Sequence, residues 1–74
     1  MTDKQMIFAI RDSRDTCLAR STSYAILANS FRASGVMTDA VTYESISRGF
    51  TAAAERLQCA LDFIALSGDA VNVL

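Results

Sequence analysis

Tyr43, Ile46, Phe50, Ala53, Leu57, Ala60 and Ile64 recur at alternating intervals of three and four residues. That spacing is an unbroken heptad seam, and it predicts an amphipathic helix over residues 38–67. Leu61 and Ala54 widen the stripe to the breadth that a core-facing helix uses. Upstream the pattern is less regular. Cys17, Tyr24, Ala28 and Phe31 share one face, flanked by Leu27, while Ser21 interrupts the seam. The polar run "RDSRD" precedes them, and Asp12 or Ser13 is a suitable cap. The first half therefore reads as a short N-terminal helix over residues 3–10 and a longer one over residues 13–34, with a single bent helix as the alternative.

Glycine supplies the punctuation. Gly35, after "NSFRAS", suits the left-handed residue that closes a helix, and Thr38 or Asp39 can cap the next one. Gly68 ends that second helix and leaves a short apolar tail over residues 69–74. Gly49 falls inside it, at a cost of about 1 kcal/mol relative to alanine, and marks either a close backbone approach or nothing. The fold predicted is all-α, one small helical domain over residues 1–74: an antiparallel hairpin turning at "SGVMTD". Its seam comprises Tyr24, Phe31, Tyr43, Ile46, Phe50, Leu57, Leu61 and Ile64.

That seam does not absorb every apolar residue. At 100° per residue, Phe50, Leu57, Leu61 and Ile64 cluster within about 40° of one direction, whereas Val41, Cys59, Phe63 and Leu66 point more than about 100° away. On the first long helix, Ile26 with Ala19 and Ala33 lies opposite Tyr24 and Phe31. A two-helix hairpin covers one face of each helix. Residues such as Phe63 and Leu66 left in water forgo about 1.5–3 kcal/mol apiece. Ile26, Cys59, Phe63 and Leu66 are accordingly the candidate contacts to a partner or a second copy. The N-terminal segment and the tail residues Val71, Val73 and Leu74 are the other candidates to cover them.

Composition adds to this picture mainly by exclusion. A chain of 74 residues rarely builds a comfortable core without staples or oligomerisation. Its 51% apolar content argues against disorder, and two cysteines are too few for a disulfide framework. A net charge of −1 and a pI near 5.0 lack the basic footprint of a nucleic-acid binder. The run Met6–Ile10 is shorter than a signal-peptide core, and nothing approaches the roughly 20 apolar residues of a membrane span. The expectation is a cytoplasmic protein with reduced thiols, no membrane contact and no cofactor. Histidine is absent, which removes the commonest general base and metal ligand. Cys17 and Cys59 are not in a CxxC spacing and read as two buried, apolar thiols. Glu44, Glu55 and Asp62 share a sector with Arg48, most simply a solvated face with an i,i+4 pair between Glu44 and Arg48. No catalytic, cofactor-binding or metal-ligating set emerges, so an enzyme is not expected. Residues 31–49 loosely match a helix-turn-helix, but Phe31 stands where that motif needs a small residue, and Arg32 and Arg48 alone face phosphates.

The stretch "ASGVMTDAVTYESISRGFTAAAERLQCALDFI", with its Gly-Val loop, its "DAVTY" and its alanine-rich helix, resembles the small co-chaperones of type III secretion needle subunits. The resemblance covers residues 33–64, while the "MIFAI" run and the apolar "AVNVL" end depart from that family. It implies a helical hairpin that pairs with a repeat-helical chaperone and keeps a needle subunit monomeric. The residues themselves suggest a non-enzymatic module that binds another protein as a chaperone or adaptor. A phage-type inhibitor or antirepressor, and a plain homodimeric bundle, fit the same features.

Overall fold

The structure, a computed structural model, describes residues 2–66 and contains two α-helices among them. Helix α1 runs Asp3–Ala33 and α2 runs Met37–Leu66, packed antiparallel as a hairpin 52 Å long and 16 Å by 15 Å across. The all-α hairpin expected from the heptad spacing is thus present. The apolar tail over residues 69–74 and the expected stop at Gly68 lie outside the described residues.

The separate N-terminal helix over 3–10 is not formed: α1 passes through Arg11–Asp15 without a break. Two causes combine. The polar run contains neither glycine nor proline, and its charged residues tolerate a helix interior well enough. The heptad also continues through it, since Ile7, Ile10, Arg14 and Cys17 keep the same three–four spacing as the residues that follow. Arg14 holds the polar stretch against α2, where its Nη1 donates to Gln58 Oε1 at 2.7 Å. Asp12 and Ser13 therefore cap nothing. The cap is Thr2, whose Oγ1 accepts from the Gln5 backbone N–H while Gln5 Oε1 accepts from the Thr2 N–H, a reciprocal capping box.

The turn is built as the glycine position suggested. Gly35 takes φ +79°, the Val36 N–H reaches the Phe31 carbonyl at 2.9 Å, and the Gly35 N–H reaches that of Arg32 at 3.1 Å. This nested pair is a Schellman closure, which satisfies two carbonyls that a helix end leaves open. Met37 is already helical, so Thr38 and Asp39 sit inside the first turn rather than capping it. There the Asp39 carboxylate still opposes the positive end of the helix dipole.

Burial follows the heptad closely. The buried residues are Ile7 and Ala28 on α1, and Ala40, Ser47, Ala54 and Leu61 on α2. They occupy one heptad row per helix, 7–14–21–28 and 40–47–54–61. A second row on each helix, 10–17–24–31 and 43–50–57–64, is half-buried throughout. The inner row is mostly small, so the two backbones come close. Ser21 Oγ donates to the Ser47 carbonyl at 3.0 Å, and Ser47 Oγ donates to the Ser21 carbonyl at 2.7 Å. Thr51 Oγ1 lies 2.6 Å from Ser21 Oγ and completes a satisfied polar layer at mid-hairpin. Ser21 interrupts the apolar seam because it meets this partner layer.

The inner row corrects the seam read from the sequence. Tyr24, Phe31, Tyr43, Phe50, Leu57, Leu61 and Ile64 line the hairpin, but Ile46 is 37% exposed, and the neighbouring Ser47 takes the buried position. Ala53 and Ala60 are likewise displaced from the inner row by Ala54 and Leu61. Hydrophobicity favoured Ile46; the cross-helix hydrogen bonds of Ser47 decided otherwise. A methyl group placed on Gly49 would meet nothing within 4 Å, so the close-approach explanation fails inside the hairpin. Gly49→Ala is expected to raise stability by about 1 kcal/mol, read as a Tm increase of about 4–8 °C by thermal melting.

Candidate protein-interaction surface

The hairpin has two unlike sides because the inner and half-buried rows are offset around each helix. On one side the inner row borders most of the charged residues together with the exposed Leu18. Glu44 pairs with both Arg32 and Arg48, and Arg32 Nη1 also donates to Asn29 Oδ1 at 3.1 Å. The Glu44–Arg48 pair is the one expected from the i,i+4 spacing. Further along the same side, Gln58 Nε2 donates to Asp62 Oδ1 at 2.9 Å and Arg14 bonds Asp15. These exposed pairs contribute on the order of 0–1 kcal/mol each. A shallow groove between Ala25, Ala28, Asn29, Arg32, Glu44, Ser47 and Arg48 lies here, and its polar groups are turned toward one another. A ligand would have to break those pairs, so the groove is not built to receive one. No cluster of metal-ligating side chains occurs among the described residues.

The other side carries the half-buried row and is aromatic. Phe31, Tyr43, Tyr24 and Phe50 form a ladder in which each ring stacks on the next across the interhelical line. The centroid separations are 5.4, 5.9 and 5.7 Å and the planes lie within 12° of parallel. Spaced seven apart on each helix, the four rings stack because the antiparallel register sets them at alternating heights. The guanidinium of Arg20 lies 6.0 Å from the Phe50 centroid and closes one end. Toward the open end of the hairpin, Ile7 and Leu61 form the apolar cluster, with Ile10 and Ile64 packed on it.

The residues expected to meet a partner are left uncovered. Ile26 is 62% exposed, Phe63 74% and Leu66 85%, and Cys59 is exposed. They do not form one patch. Cys59, Phe63 and Leu66, at i, i+4 and i+7, make a continuous stripe on the outer surface of α2 near its end. Ile26 sits on the outer surface of α1 near the turn, level with residue 45 or so, about 27 Å along the axis from Phe63. It belongs to no stripe with them. The expectation of two buried thiols also needs correction: Cys17 is half-buried, whereas Cys59 projects from the outer surface, and both are free. The N-terminal segment, a candidate cover, is occupied with Leu61 and Ile64 through Ile7 and Ile10.

Sequence reasoning missed a second surface, the aromatic side with its flanking Met6, Leu27 and Ile46, which are 42%, 37% and 37% exposed. The signal was available in the spacing. The row Tyr43–Phe50–Leu57–Ile64 pairs equally well with 46–53–60 or with 40–47–54–61, and only Ser21 on the facing helix points to the second. Neither described helix is long and apolar enough to cross a membrane. Comparison of the chain with protein-family models, with curated proteins and with solved structures finds no match.

Proposed function

We propose that the chain is a non-enzymatic protein-binding module, a small adaptor or chaperone that covers a hydrophobic surface of another protein in the cytoplasm. The stripe Cys59–Phe63–Leu66 carries this proposal, with Phe63 and Leu66 among the most exposed large apolar side chains of the described residues. Anchors at i, i+4 and i+7 are how a helix seats in an apolar groove. A buried aromatic anchor of this kind commonly supplies about 2 kcal/mol or more of binding. The resemblance of residues 33–64 to needle-subunit co-chaperones makes a type III secretion needle subunit with its repeat-helical chaperone the client to try first.

The test is co-expression of the tagged chain with that pair, followed by quantified co-purification. Phe63→Asp and Leu66→Asp are each expected to cut capture at least about 30-fold, which is about 2 kcal/mol in equilibrium terms, with helicity unchanged by circular dichroism. Undiminished capture by both variants would remove the stripe from the binding surface.

A further inference from the structure

We propose that a second copy of this chain covers the aromatic side, making a symmetric four-helix bundle that leaves the Cys59–Phe63–Leu66 stripe open. Helix α2 carries two overlapping heptad seams that share Tyr43, Phe50, Leu57 and Ile64. The hairpin uses the seam completed by Ala40, Ser47, Ala54 and Leu61. The other seam, completed by Ile46, Ala53 and Ala60, is unbroken in the sequence, and the hairpin leaves Ile46 exposed and Ala53 and Ala60 half-buried. A helix with one neighbour needs one seam, whereas a helix in a four-helix bundle contacts neighbours on two sides.

Helix α1 presents a corresponding surface on the same side. Viewed along antiparallel axes, the half-buried rows of both helices are offset from the inner rows toward one side of the hairpin. That side therefore gathers the four stacked rings with Met6, Leu27 and Ile46. Of the charged residues described, only Arg20 and Asp39 occupy the flanking rows next to it, whereas Arg11, Arg32, Glu44 and Arg48 line the opposite side, which also exposes Phe8, Leu18, Met37 and Val41. It is the charge, rather than the apolar surface, that separates the two sides, and the side poor in charge is the one a bundle interior requires.

Size fits a second copy. The full outline of the hairpin, 52 Å by 16 Å, projects about 800 Å², so a copy lying along its whole length reaches the share each partner contributes to a standard stable interface. The need for it is also plain, since Ile7 and Leu61 are the only large side chains buried among the described residues. A small chain with so little core commonly gains its stability by association. Closed two-fold dimers are the usual outcome when one face is self-complementary.

Sedimentation equilibrium on the purified chain, alone and without client, tests this. Wild type is expected at about 16 kDa, twice the 8.0 kDa chain mass, with a urea midpoint that rises with protein concentration. The double variant Ile46→Lys, Ala53→Lys is expected at the monomer mass with its helices retained, because neither position is in the inner row of the hairpin. Should that variant unfold, Leu27→Lys on the other helix, also substituted at an exposed position, is expected to weaken the dimer at least about 10-fold. Leu66→Asp is expected to remain dimeric while losing client capture, so the two surfaces fail separately. A wild-type monomer with a concentration-independent midpoint would overturn the proposal, and so would a dimer that Leu66→Asp splits and the lysine variants do not.

Discussion

Leu61→Ala is expected to destabilise the hairpin by about 2–5 kcal/mol, the usual cost of deleting a buried leucine and leaving a cavity. Leu61 and Ile7 are the only large apolar side chains in the buried set of the described residues, where alanine and serine hold the other positions. The loss is a large part of the total in a domain whose whole stability is of order 5 kcal/mol. Its effect is local before it is global. Ile7 and Ile10 pack against Leu61 and Ile64, so the first turns of α1 lose their anchor when Leu61 is truncated. Urea unfolding gives the magnitude. Amide exchange gives the location, with protection expected to fall first between Ile7 and Arg14. Leu66→Ala, at an 85% exposed site, is the matched control and should stay within about 0.5 kcal/mol of wild type.

Tyr24→Ala carries the second large effect. Tyr24 is an inner rung of the ladder, stacked on Tyr43 on one side and Phe50 on the other. Each such pair contributes about 0.5–1.5 kcal/mol beyond its buried area, so two pairs account for about 1–3 kcal/mol before the area term is added. Tyr24→Leu restores most of the area without the ring stacking and should recover only part of the loss. A double-mutant cycle between Tyr24 and Phe50 isolates the pair, with a coupling of about 0.5–1.5 kcal/mol expected. A coupling near zero would mean that the rings are neighbours without mutual stabilisation.

Both predictions turn on the division between inner and half-buried rows, and this is where sequence and structure part. The helical class, the turn at Gly35 and the second helix, expected over residues 38–67 and found as Met37–Leu66, follow from spacing and from a glycine that alone tolerates φ +79° easily. The exposure of Phe63 and Leu66 was equally legible, because residues far from the seam on a wheel have no second helix to meet. The continuity of α1 was not. A run such as Arg11–Asp15 looks like a boundary until Gln58 is known to receive Arg14.

Periodicity alone thus yields a helical hairpin, its hinge, and a set of apolar residues too wide for one interface. Local spacing carries that information, since it fixes the direction of each side chain around its own helix. Which of two overlapping seams the hairpin uses is set by the pairing of the helices. That choice depends on the register between helices, where Ser21, Ser47 and Thr51 satisfy one another across a close backbone approach. A heptad repeated without a break cannot state its own partner; a polar layer with matched donors and acceptors can.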